Sequence, residues 1–177
     1  MSAQSTAPGY IIHQTKDTTV VQIKLKKGLL GQLTNNFTNE IIVVDSNKTE
    51  MKYEPETLRG YGFTYNSATY TLVSKPIKNG SYKFLAPVVI GPKTNLYRYG
   101  LVNVGGAISN KQVFYTFEKE DNTFLFLNNI LNNKFRVELR EFYKDYPEAQ
   151  KLIDTRLKYW LELEQDLNDI VRAVNAS

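Results

Sequence analysis

The 177 residues carry 42% hydrophobic and 23% charged side chains, enough apolar material for one well-buried soluble domain and too short a chain for two large ones. The absence of cysteine excludes disulfides, thiolate metal centres, iron–sulfur clusters and cysteine nucleophiles, and the single histidine, His13, excludes a multi-histidine metal site within one chain. A net charge of +4 favours anionic partners only weakly, so nucleic acid is not the expected partner.

Residues 1–9 are small and polar, and their composition fits the stub of a deleted leader and an ordinary frayed N-terminus equally well. From Tyr10 to Leu127 short strand-like runs alternate with turn chemistry. Tyr10–Gln14 and Thr19–Leu25 form a hairpin signal about Thr15-Lys16-Asp17-Thr18, with Val21, Ile23 and Leu25 on one face and Gln22 and Lys24 on the other. Glu40–Asp45 and Thr49–Tyr53 flank the turn-forming Ser46-Asn47-Lys48. Pro55–Leu58 reads as one helical turn leading into Gly60–Tyr65, and Asn66-Ser67 turns the chain into Ala68–Val73. Further strands are expected at Ser81–Ile90, Leu96–Tyr99, Val113–Phe117 and Thr123–Leu127, with Gly28–Asn39 and Gly100–Ile108 left as loops or bulges. Strands at this spacing predict an antiparallel sheet, or a barrel if the sheet closes.

From Asn128 the period becomes helical. Ile130, Leu131, Phe135, Leu139 and Phe142 recur every three or four residues, and Pro147 closes that helix and opens the next. Ile153, Leu157, Trp160, Leu163, Leu167, Ile170 and Val174 then form an apolar stripe with one irregularity, between Trp160 and Leu163. Docking of that stripe on the domain's own sheet is preferred to a homo-oligomeric seam. The fold class is therefore α+β: an antiparallel β region over 10–127 and two or three packed helices over 128–177 of the same domain. The charge changes at the same point: residues 1–127 hold fourteen Lys/Arg against nine Asp/Glu, and 128–177 hold eight against nine.

Candidate chemistry is sparse. His13 lacks a partner set for a metal or a triad. Glu118, Glu120 and Asp121 read as a solvated hairpin tip, without the ligand alternation of a calcium loop or the second carboxyl of a glycosidase. Lys24, Lys26 and Lys27 sit on or beside the wet face of a strand, where lysine protects an edge. Gly100–Gly106 has no phosphate-loop context, and no Ser–His–Asp order or nucleophile elbow occurs. Three N-x-S/T sequons begin at Asn36, Asn47 and Asn79. The recurrent aromatics, Tyr61, Phe63, Tyr65, Tyr97 and Tyr99 chief among them, either fill the core or line a cavity for an apolar or sugar-like ligand, with core filling the first expectation. No cofactor and no metal is implied. No stretch is apolar and long enough for a transmembrane helix.

Several segments together carry a resemblance. They are Gly9-Tyr10-Ile11-Ile12 with Lys16-Asp17-Thr18, Met51–Tyr61, and Phe135–Phe142 with Tyr146-Pro147-Glu148. With the ending Asp166-Leu167-Asn168-Asp169-Ile170-Val171, the chain resembles a group of exported Bacteroidetes proteins. Those begin "GYIVT…GDTI" after a cleaved signal peptide and end with helical "DCPEL" and "DL…IV…YN" segments. Lys16 stands where that pattern has Gly, and Tyr146 where it has Cys. The resemblance brings no catalytic group. It implies a periplasmic, outer-membrane-associated or secreted protein, and makes residues 1–9 a disordered leader remnant; together with the lack of a catalytic constellation, this reads as a non-enzymatic module with a protein, glycan or apolar partner. The alternatives are a carboxylate-dependent hydrolase of envelope glycans and a structural protein that self-associates through the C-terminal stripe.

Overall fold

The structure is a computed structural model that describes residues 5–26, 36–100, 113–127, 134–157 and 162–177. It is an α+β arrangement of ten strands and three helices among those residues, and the chain divides into two compact units, 1–86 with 99–113 and 87–98 with 114–177.

The first unit holds β1 (Ser5–His13), β2 (Thr18–Leu25), β3 (Ile41–Val44), β4 (Glu50–Tyr53), β5 (Leu58–Tyr65), β6 (Ala68–Pro76) and the first part of β7 (Tyr82–Val89). Their order is β7-β6-β5-β1-β2-β3-β4, and every registered pairing is antiparallel. The expected hairpins all form. The pairing that organises the unit is long-range: β1 lies between β2 and β5, with Ile11 opposite Tyr61 and a register shift between Ile12 and His13. Period-2 alternation then sends Ala7, Ile11, Ile23, Leu25, Ile41, Val43, Tyr61, Phe63 and Leu72 into one core. The Pro55–Leu58 segment is a hydrogen-bonded turn, Thr57 N–H to Glu54 O at 3.0 Å, not a helix.

The ladder is open among the described residues, which replaces the barrel alternative with an open sheet. β4 ends it with charge: Lys24 pairs with Glu50 at 2.5 Å, and Lys52 reaches Glu40 at 2.8 Å and Glu54 at 3.0 Å. Ion-paired charges of this kind blunt an exposed strand edge.

Residues 5–9 are strand, which corrects their expected disorder; residues 1–4 lie outside the described set. Ala7 is a core residue opposite Ile23. Gly9 faces Phe63 so closely that a β-carbon there would meet the Gly62 carbonyl, the Phe63 Cβ and the Ile23 side chain. Small residues that mimic a linker in composition are here the condition for backbones to approach.

Between β5 and β6, Asn66 (φ 49°) and Ser67 (φ 61°) both occupy the left-handed region inside a two-residue turn closed by the Tyr65–Ala68 pair. Ser67→Gly removes the β-carbon penalty at one of them. It is expected to raise stability by about 0.5–1 kcal/mol, read as a higher denaturation midpoint at unchanged m-value.

The second unit holds the end of β7, β8 (Thr94–Tyr99) up to Arg98, β9 (Phe114–Lys119), β10 (Phe124–Leu127), α1 (Lys134–Phe142), α2 (Pro147–Thr155) and α3 (Leu163–Ala176). The strands run β10-β9-β8-β7. Leu96, Tyr115, Phe117 and Leu127 share one core with Phe135, Leu139, Tyr143, Ile153, Leu157, Leu167, Ile170 and Val174. The described strands end at Leu127 and the helices begin at Lys134, but these helices share their core with β8–β10, because their apolar faces require a sheet face. The stripe is spent inside this unit, as preferred. Its slip near Leu163 coincides with the start of α3, so the second helical stretch is two helices; Trp160 lies outside the described residues, as do Ile130, Leu131 and Lys27. Pro147 opens α2 at its first turn. No helix among the described residues is long and apolar enough to cross a membrane.

Candidate functional site

Of the five aromatics with a claim to ligand contact, Tyr61, Phe63, Tyr65 and Tyr99 fall in the first unit and Tyr97 in the second. Tyr61 and Phe63 are fully buried, their rings parallel at 6.3 Å. Tyr61 donates its phenol to the Phe37 carbonyl at 2.7 Å and meets Phe84 edge-on at 4.8 Å. Phe63 stands between Phe37 and Tyr70, each 4.9 Å away. These two are packing residues. Tyr65 and Tyr70 are half-buried against the same core, and Tyr99 is half-buried with its phenol pushed up by burial.

A different set of groups converges in the second unit, around the start of β8. Alternation along β8 sends Leu96 into the core shared with the helices and brings Thr94 to Tyr143, just past α1, and Arg98 to α3; Asn95 and Tyr97 take the other phase and meet Glu118 of β9. Glu118 is 5% exposed, which corrects its assignment to the solvated tip. β9 runs on to Lys119, so only Glu120 and Asp121 reach the turn. Its Oε2 accepts from the Tyr97 phenol at 2.7 Å and from the Asn95 amide at 3.0 Å. Two residues along the same phase of β9, the Thr116 hydroxyl is buried without a protein partner. On the core side, the Thr94 hydroxyl donates to the Glu118 carbonyl at 3.0 Å, leaving the Tyr143 phenol to donate to Thr94 Oγ1 at 2.9 Å.

The end of α3 completes the cluster. Asn175 Oδ1 accepts the backbone N–H groups of Lys93 at 2.9 Å and Thr94 at 3.0 Å, and its Nδ2 donates to the Thr94 carbonyl at 2.9 Å. Lys93 Nζ reaches the Ser177 carbonyl and, at 3.2 Å, the Ser177 hydroxyl. Further along β8, Arg98 Nη1 meets both oxygens of Glu164 at 2.9 and 3.1 Å, and the Tyr115 phenol donates to Glu164 Oε2 at 3.0 Å.

The electrostatics follow from burial. The Tyr97 phenol is held far above its ordinary range by desolvation first, then by the Glu118 carboxylate that accepts its proton bond. Tyr143 is raised by desolvation, and Tyr115 by desolvation and Glu164. At neutral pH all three phenols are protonated donors. Such a constellation clamps strands and helix together, with the three phenols acting as donors.

His13 is half-buried, with Nε2 2.9 Å from Thr19 Oγ1. Among the described residues no three His, Cys, Asp or Glu side chains come together as metal ligands. Sequence reasoning missed Thr94, Asn95, Tyr143 and Asn175. Only the period-2 phase of Glu118 with Thr116 could have marked a buried carboxylate. No protein-family model, curated protein or solved structure matches the chain.

Proposed function

We propose that this protein is a non-enzymatic binding or scaffolding module of the bacterial cell envelope, exported to the periplasm or the outer membrane, whose partner is a protein, glycan or apolar ligand. The export half of the proposal rests on the resemblance to exported Bacteroidetes proteins. The non-catalytic half is supported by one observation: buried Glu118 accepts hydrogen bonds from Tyr97 and Asn95, and the Tyr97 phenol is held protonated. Ligand contact passes to the half-buried aromatics of the first unit, Tyr65 and Tyr70, with Phe63 as their support.

The test is expression of the gene with its native upstream sequence in a Bacteroidetes host, followed by fractionation and crosslinking. The expected result is an envelope fraction carrying a discrete crosslinked adduct that Tyr65→Ser together with Tyr70→Ser removes. A cytoplasmic protein ends the export proposal. Envelope-glycan hydrolysis that Glu118→Gln abolishes, in protein whose folding is intact by circular dichroism, ends the non-enzymatic one.

A further inference from the structure

Asn79-Gly80 is the one Asn-Gly step in the sequence, and the fold sets it at the tip of the β6–β7 hairpin. Gly80 N–H donates to the Ile77 carbonyl and Ile77 N–H to the Ser81 carbonyl, both at 2.8 Å, which closes a loop of Lys78, Asn79 and Gly80. Gly80 takes φ +80°, the left-handed position that a glycine supplies in a three-residue hairpin loop. Asn79 is exposed, and the side of Gly80 where a β-carbon would stand is open space. The Asn79 Oδ1 accepts two hydrogen bonds from Ser81, one from its backbone N–H at 3.1 Å and one from its hydroxyl at 2.7 Å.

We propose that this tip is a self-modification site, where Asn79 cyclises onto the Gly80 nitrogen and the two Ser81 donors stabilise the charge that develops on Oδ1. A solvent base removes the Gly80 amide proton, and that nitrogen forms a bond to Asn79 Cγ while the carbonyl electron pair moves onto Oδ1. Collapse of this tetrahedral intermediate breaks the Cγ–Nδ2 bond, and Nδ2 leaves as ammonia after taking a proton from water. Water then opens the cyclic imide at either carbonyl. The net change is asparagine plus water to aspartate or isoaspartate plus ammonia, with nothing oxidised or reduced. Two donors aimed at the developing oxyanion are the arrangement that lowers such a barrier in acyl-transfer sites. Glycine at the attacking position leaves its nitrogen unobstructed, whereas Asn47, Asn66 and Asn122, in the other tight turns, precede Lys48, Ser67 and Thr123. The Gly80–Ile77 bond must open first, so the reaction runs from a frayed tip while Lys75–Lys83 and Pro76–Tyr82 stay paired. The product places a negative charge in a hairpin that carries Lys75, Lys78 and Lys83.

Incubation of the full chain at mildly alkaline pH, with peptide mapping over time, tests the assignment. Asn79 is expected to deamidate before every other asparagine, and Ser81→Ala to slow it about three- to tenfold, less than the loss of an oxyanion donor in a closed active site because this one is exposed. In denaturant the wild type and Ser81→Ala are expected to react at equal rates. Equal rates in the folded proteins, a slowing that persists in denaturant, or another asparagine reacting first would each overturn the proposal.

Discussion

Asn175→Ala is expected to lower the free energy of unfolding by about 2–4 kcal/mol, the sum of three orphaned backbone groups at roughly 1 kcal/mol each. The side chain sits in the last turn of α3, yet all three bonds of its amide go to the start of β8. Thr94 is 1% exposed, so water does not readily replace what the alanine removes. Gly91 supplies an independent handle on the same contact. A β-carbon at Gly91 would meet the Asn175 amide and no closer neighbour, so Gly91→Ala must displace Asn175 and undo the same bonds. The two substitutions are therefore expected to be strongly non-additive: in the Asn175→Ala background, Gly91→Ala costs little. A denaturation double-mutant cycle reads the coupling, and amide exchange at Lys93 and Thr94 reads it locally. Additive losses would mean that Asn175 is not what the Gly91 position leaves room for.

Local hydrogen-bonding chemistry was legible, and long-range pairing was not. The hairpins β3–β4 and β5–β6 are announced by Ser46-Asn47-Lys48 and Asn66-Ser67, because a turn's preferences are written in the residues that make it. The β1–β5 ladder has no such announcement. It joins segments about fifty residues apart, and its only trace is negative: Gly9 and Gly62 are side-chain-free where two backbones and the Tyr10 ring crowd together. Composition read Gly9 and its small neighbours as a disordered terminus, since a stretch of small residues looks alike whether it is solvated or pressed against another strand. The partition into two units was equally hidden. Leu96, Tyr115 and Phe117 alternate like any other strand residues, and nothing in their spacing says that their core is helical while that of Tyr61 and Phe63 is not.

The candidate site shows the same limit in its polar residues. A lone Asn or Thr carries no periodic signature, so Asn175 and Thr94, separated by 81 positions, become partners only after α3 docks. Glu118 was hidden by its neighbours: beside Glu120 and Asp121 it reads as part of an acidic turn, although the strand runs one residue beyond it. The aromatics were visible individually but not in role. Tyr61 and Tyr97 both look like strand tyrosines, and only the structure distinguishes a phenol bonded to a backbone carbonyl from one bonded to a buried carboxylate.

Those phenols make the fold sensitive to alkali, the second large effect expected. Tyr61, Tyr97, Tyr115 and Tyr143 are each held above the ordinary phenol value of 10.0 chiefly by desolvation. Above that pH the unfolded chain releases protons that the folded chain retains, so the native state binds more protons and stability falls as pH rises. The contribution is fully present below pH 10.0 and is lost above it at about 1.4 kcal/mol per pH unit for each buried phenol. Three of the four lie in the second unit, which is expected to unfold at the lower pH. Tyr143→Phe separates this from general charge repulsion. At neutral pH the variant loses the bond to Thr94 and about 1 kcal/mol, but it also loses one titrating group, so its stability declines less steeply. The stability–pH curves of the wild type and Tyr143→Phe should converge above pH 10.0. In the wild type, the phenolate absorbance of the buried tyrosines should rise together with the loss of helical circular dichroism. Phenolate formation that precedes unfolding, or parallel curves for the two proteins, would show that these rings are solvated in the native state and that the Glu118 cluster is not the closed network its distances describe.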